Sequence, residues 1–463
     1  MPRTLVVIIL LGITQLLSAA DTLKVGLAEV DVTPTISDQT PVYVAGFGMN
    51  RRANKVHDPI MARAIVLDDG TSKIALVSVD VVGLFHEFVL DVRKQLKGYT
   101  YVGVSATHNH EGPDTLGLWG SSPFKSGVDP AYMRILNEKI VKVIQQAEAN
   151  LQPARCQIGK KAAPELLTDN REPYIKHDDL YVLQFLGKTD KPIGLMVQWN
   201  CHPETMASKN TELTADYVGY TVTALQKKYG CPVVYFTGTV GGLLTSLDVP
   251  IKNKQGVELK DGTWEKTELF GLAVADVAMK AVESAEPVTL TPLLARSKKV
   301  LVPVENELYK LGWRVGVLKR QMFVWKKTTS IENAEISKNL TNPAAVKTEV
   351  GYLKLGDVEI AVIPGEIYPE LVLGKVQDPA DANADFPTAP IEPSIFGQLK
   401  SKHRLLIGLG NDEIGYLIPK CQWDKAAPYC YNRKKDQYGE ENSVGPDAAG
   451  IIAQTFADLV QGK

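Results

Sequence analysis

The chain has 463 residues, 44% of them apolar and 22% charged, and its 51 basic and 53 acidic residues leave a formal net charge of -2. That composition is globular and argues against a disordered, collagenous or solenoid chain. With no block of basic residues, large-scale electrostatic attraction to nucleic acid is not expected. The length allows two or three domains of typical size, or one large domain with insertions.

Residues 1–20 read as a signal peptide. Arg3 gives a positive start, 5–17 is almost wholly apolar, and Ser18-Ala19-Ala20 fits a small-residue cleavage site before Asp21. The apolar run falls short of the roughly 20 residues of a spanning helix. One domain is therefore expected over 21–463, secreted or periplasmic. Export permits disulfides. With five cysteines, Cys156, Cys201, Cys231, Cys421 and Cys430, at least one is left unpaired. Cys421 and Cys430 are spaced to close a short loop, and Cys201 is expected as a buried free thiol beside His202.

In chain order, strands are predicted over 24–30, 73–79, 101–105, 180–185, 194–199, 233–236 and 358–363. Helices alternate with them. The first opens at Asp129-Pro130, a cap residue followed by proline at the first helical position, and runs to about 149. Others are predicted over about 215–228, 267–284 and 447–460. Such alternation argues for a mixed α/β architecture. Residues 305–348 break it, with Phe323, Trp313 and Trp325 among polar residues, and read equally as a lid over a cleft or as a surface insertion. The proline-rich stretch 379–393 reads as a long loop, and there is no internal sequence repeat.

Only seven histidines are present, so their placement is informative. A strand over 101–105 leads into Ala106-Thr-His108-Asn-His110-Glu-Gly-Pro113. Residues two apart on an extended strand share a face, so His108 and His110 are expected to face one pocket. A second strand runs into Trp199-Asn-Cys-His202-Pro-Glu-Thr-Met206, and a third into Val362-Ile-Pro-Gly-Glu366. Each cluster alone has a structural reading at least as good as a functional one. Together, three strand ends carrying imidazole or carboxylate favour a zinc site with an open position for water.

These segments, in this order, resemble the catalytic domain of the neutral/alkaline non-lysosomal ceramidases. The likeness rests on Gly26–Pro34 (GLAEVDVTP), Gly46-Phe-Gly48, Asp58, Ala62-Arg-Ala64, Val79-Asp80 and THNHEGPD over 107–114. It continues through Asn170-Arg171-Glu-Pro-Tyr174, HPETM, IPGE, the IGYLIP segment around Tyr416 and the tail over 438–446. The resemblance implies a mixed-sheet ceramidase-type fold and a Zn²⁺ cofactor held by His108, His202, Glu366 and Tyr416. It further implies that His110, Arg171 and Tyr438 meet the reacting amide and nearby hydroxyls of an N-acyl lipid such as ceramide, and it leaves room for peripheral membrane contact. If Arg171 instead served the fold, a surface ion pair would be expected of so polar a turn.

Two departures bear on the substrate. Where the family carries Gly-Asp-x-Ser-Pro-Asn after a strand, this chain has Thr237-Gly-Thr-Val-Gly-Gly-Leu-Leu244-Thr245-Ser246, with Leu244 at the serine position. The sequence also stops where the family's carboxy-terminal β-sandwich domain would start. Three readings stand beside amide hydrolysis: a zinc hydrolase of an ester or carbohydrate substituent, a binding protein on the same fold, and a His-x-His barrel amidohydrolase. The last would need more strand-end histidines than His57, His86, His177 and His403 supply.

Overall fold

The computed structural model describes residues 23–326, 331–337 and 343–463. The leader expected over 1–20 lies outside them, as do 327–330 and 338–342 of the expected insertion. Among the described residues no helix is long and apolar enough to cross a membrane.

Three large mixed sheets carry the fold. The first runs Tyr101–Ala106, Lys73–Val79, Met61–Asp68, Lys24–Asp31 and the two-residue Gln152–Pro153. The second runs Val233–Thr237, Pro192–Trp199, Asp179–Leu186, Arg155–Ala162 and Glu286–Val288. The third runs His403–Ile407, Val358–Val362, Ala344–Leu355 and Leu293–Val304. All three share one pattern: an antiparallel body ending in one parallel edge pair. A parallel pair needs a crossover, which the sequence supplies as helix His86–Lys94 in the first sheet and Asp216–Tyr229 in the second. This structural repetition has no counterpart in sequence periodicity.

The residues alternate so that each sheet turns one apolar face to a common core. Leu27, Ile65 and Leu76 of the first sheet meet Ile158, Phe185 and Phe236 of the second and Leu353, Ile360 and Leu405 of the third. The outer faces are closed by helices. Pro130–Ala149 packs Leu136, Ile140, Val143 and Ile144 on the first sheet, its Asp129 cap accepting from Ala131 N. Tyr217 and Phe270 cover the second sheet, and Ile452 and Phe456 the third. At about 1.5–3 kcal/mol for each large side chain removed from water, this four-part core fixes where the strand ends lie.

The three parallel edges converge, and a closed ring of hydrogen bonds ties them. Ser105 Oγ donates to Gly408 O (2.8 Å), Gly408 N donates to Thr237 O (3.0 Å), and Thr237 Oγ1 donates to Thr107 O (2.7 Å). Gly408 is required here, because a Cβ would fall 2.1 Å from Gly238 O.

The predicted strands and helices are all present. The long hairpin of Leu293–Val304 with Ala344–Leu355 was not anticipated. Its first strand carries Arg296, Lys298 and Lys299, which mask the apolar alternation. Its second begins inside 305–348, so that segment is more than a surface excursion. All five cysteines are buried and free, so the loop from Cys421 to Cys430 is not closed by a bond between them.

Candidate metal centre

Residues that follow these strand ends line a cleft of about 870 Å³, mouth included, among them His108, His110 and Glu366. His108 and His110 follow the edge strand of the first sheet. The strand stops at Ala106, and His108 takes a left-handed backbone (φ 67°). The two imidazoles thus come together, ring centroids 4.9 Å apart, through a turn rather than through strand alternation. His202 follows the inner parallel strand of the second sheet, and Glu366 follows the matching strand of the third.

His108 and His202 are each anchored at Nδ1 by a main-chain carbonyl. Val82 O lies 2.6 Å from His108 Nδ1 and Leu244 O lies 2.8 Å from His202 Nδ1. These bonds place the ring proton on Nδ1 and leave the Nε2 lone pairs facing inward. Both lone pairs meet one atom, Glu366 Oε2, at 3.2 and 3.1 Å. Two lone pairs and a carboxylate oxygen repel one another unless a proton or a metal cation joins them. The donor set, two neutral imidazoles and a carboxylate with second nitrogens already occupied, therefore fits a zinc-type ion. Tyr416 pairs in register with Glu366, is buried, and lines the same cleft.

His110 lines the cleft beside this group, its Nδ1 3.1 Å from Glu204 Oε2. Burial pulls its pKa down to about 4 despite that carboxylate, so the ring is neutral near pH 7. Gly46, in a left-handed conformation (φ 94°), lets the main chain pass against the His110 ring, where a Cβ would fall 2.3 Å from Cγ. Tyr438 lines the opposite side, half-exposed, with its ring 5.7 Å from that of Tyr416.

Arg171 stands behind this wall rather than in the cleft, and it is buried. Nη1 donates to Glu440 Oε2 (3.0 Å) and Tyr438 O (3.2 Å), and Nη2 to Glu440 Oε1 (2.8 Å) and Gln422 O (2.9 Å). The surface ion pair anticipated for a structural role is thus corrected to a buried, two-pronged one. Through Nη1 it also holds the main chain of Tyr438.

The departing loop buttresses the second histidine. Leu244 is fully buried, and its carbonyl receives both His202 N (2.9 Å) and His202 Nδ1. Ser246 Oγ donates to His202 O (3.0 Å), and Thr245 Oγ1 donates to Glu204. Both hydroxyls are buried and turned away from the cleft.

Sequence reasoning did not assign roles to Glu204 and Glu413, although Glu204 sits inside a motif it singled out. Nor did it foresee the cleft's apolar walls. Leu116, Leu118 and Trp119 form one side, Ile414 and Val444 another. Tyr309, Trp313, Leu318 and Met322, all from the 305–348 segment, form a third. The aromatic residues of that segment were its only signal.

Fold and site together define a three-sheet α/β protein with a buried His/Glu centre suited to a divalent cation, under an apolar cleft. Residues 23–234 match the family described as neutral/alkaline non-lysosomal ceramidase, N-terminal, so the resemblance read from the sequence is borne out. The neutral ceramidases of Drosophila pseudoobscura pseudoobscura and Drosophila melanogaster are 26% identical over 252 and 235 residues, which is 49% and 45% of this chain. The chain spans about a third of the length of these curated relatives, 35% and 32%. The fold matches that of neutral ceramidase from Pseudomonas aeruginosa at TM-score 0.69 and 17% identity, over 95% of this chain and 74% of that one. A ceramidase complexed with C2 matches at 0.68 and 16%, over 95% and 75%.

Proposed function

We propose that the protein is a zinc-dependent hydrolase of the amide bond in an N-acyl lipid such as ceramide or a related N-acyl compound. The observation that carries this is the convergence of His108 Nε2 and His202 Nε2 on Glu366 at the floor of an apolar cleft. The family match supports the amide. His108, His202, Glu366 and Tyr416 would hold the ion, which when bound supplies a Lewis acid that polarises the amide carbonyl and acidifies water.

The chain's own residues supply the rest. The cleft walls bury an acyl chain and keep bulk water from the floor. The Glu204 carboxylate, 3.1 Å from His110 Nδ1, favours a proton on that nitrogen, so that Nε2 can take a proton from attacking water and return it to the leaving amine. Tyr438, held from behind by Arg171, offers its hydroxyl to the substrate at the cleft mouth. The attacking group is water, because Thr245 and Ser246 are occupied elsewhere. Secretion through the leader over 1–20 would place this activity outside the cytoplasm, and the apolar cleft suits a substrate drawn from a membrane or micelle.

The test is turnover of the zinc-loaded full chain on short N-acyl sphingoid amides, N-acyl amino acids and simple esters, beside His110→Ala. Amide hydrolysis that falls at least about 100-fold in the variant is expected, as for loss of a proton-transfer group. Cleavage of esters alone would move the reading to another bond, and tight binding without turnover would make the protein a lipid carrier on this fold.

A further inference from the structure

Glu413 lies next to the proposed centre and has no role in it so far. It follows the edge strand of the third sheet and lines the cleft, with only 7% of its surface exposed. Its Oε1 accepts from Gly415 N (2.6 Å), while Oε2 is buried and no donor among the described residues reaches it. An unpartnered buried carboxylate oxygen is costly, and a fold keeps one where something outside the chain satisfies it. The nearby cation does not. Arg320 Nη2 pairs with Asp412 Oδ2 (2.8 Å), and Nη1 donates to the Glu413 main-chain carbonyl (3.0 Å).

Ligand atoms of Glu413, Glu366 and His108 all lie within 4.8 Å of one another. His108 and Glu366 are also half of the donor set already described. The two constellations therefore overlap, sharing His108 and Glu366. Two carboxylates that share one buried space, with no arginine or lysine among the described residues reaching Glu413 Oε2, repel unless a proton or a metal cation lies between them.

We infer that Glu413 is a further carboxylate ligand of the metal centre, so that the ion is held by two imidazoles, two carboxylates and the Tyr416 hydroxyl. This rests on the metal reading above. A second carboxylate would neutralise the charge of a divalent ion together with Glu366, and it would broaden the centre toward harder ions such as Mn²⁺, which oxygen donors favour over softer sites.

The experiment is competition for Zn²⁺ and Mn²⁺ between a chromophoric chelator and the full-length protein stripped of metal. It compares wild type, Glu413→Gln, His202→Ala as positive control and the exposed Glu441→Gln as negative control. Circular dichroism confirms that each is folded. Glu413→Gln is expected to weaken Zn²⁺ at least about 10-fold, the scale of losing a contact to a metal site, and Mn²⁺ more than Zn²⁺, with Glu441→Gln at the wild-type value. Equal affinities in wild type and Glu413→Gln, with His202→Ala weakened, would overturn this inference alone. A wild-type chain that binds neither ion would instead overturn the metal reading beneath it. Should Glu413→Gln not fold, Glu413→Asp is the substitute, expected to keep the charge and lose affinity through its shorter reach.

Discussion

The first sheet and the other two are built alike and end differently. In the second and third sheets, the inner strand of the parallel pair runs on into a residue that faces the centre, His202 and Glu366. In the first, the matching strand Lys73–Val79 runs into Asp80, and that carboxylate turns back. It takes two contacts of 2.8 Å from Arg63 Nη1 and one of 3.0 Å from Met61 N. The first sheet delivers its ligands from the next strand instead, through the left-handed turn at His108. One strand pattern thus supplies a proposed metal donor at two positions and a buried structural ion pair at the third. What decides is whether a fixed cation stands within reach: Arg63 pairs with Asp80 from the neighbouring strand, whereas among the described residues no arginine or lysine pairs with Glu366, which meets the His108 and His202 imidazoles.

That contrast can be broken from either side, and the largest effects should fall on the structural pairs. Arg63→Ala leaves Asp80 charged and buried, and should cost about 3–5 kcal/mol. Urea unfolding of the metal-free protein would read this, and the folded fraction should still take up zinc. Arg171→Ala breaks the equally buried pair with Glu440 and should cost a similar amount, about 3–5 kcal/mol. It should also lower turnover by freeing Tyr438. An unchanged unfolding midpoint with lost turnover would instead place Arg171 on the substrate.

His202→Ala should show the reverse pattern. Stability of the metal-free form should fall by less than in Arg63→Ala, about 0.5–1.5 kcal/mol for the loss of one of the two hydrogen bonds to Leu244 O, while bound zinc and turnover are lost. If zinc content by elemental analysis stays at the wild-type level, the wrong histidine has been assigned. The smallest effect on turnover is expected in the buttressing loop. Thr245→Ala with Ser246→Ala removes three hydrogen bonds, at about 0.5–1.5 kcal/mol each, and should keep most of the turnover. No acyl group should be trapped on the protein after rapid mixing with substrate. A covalent acyl adduct at either position would show that a side-chain nucleophile operates.

Much of this was legible in the sequence because local signals and tertiary outcome agree. The proline after Asp129 and the apolar spacing at 136, 140, 143 and 144 set a helix that packing then uses. His108, His202 and Glu366 could be read as a group because each stands a few residues past an apolar strand beside a turn-forming glycine or proline. Three things were hidden. The long hairpin reads poorly because charged residues mask its alternation and its halves lie 40 residues apart (304 to 344). Burial of Arg171 depends on Glu440, 269 positions away, and no local pattern reports such a partner. Glu413 carries no motif of its own, and only the folded chain shows its second oxygen without a donor.

The central claim is that the strand ends of three sheets hold one catalytic ion through His108, His202 and Glu366. Its most direct test is elemental analysis of protein purified without chelator, followed by stripping and stoichiometric reloading while amide hydrolysis is monitored. The account predicts one zinc per chain, loss of hydrolysis on stripping, and recovery complete at one equivalent. A metal-free sample with full activity would contradict it.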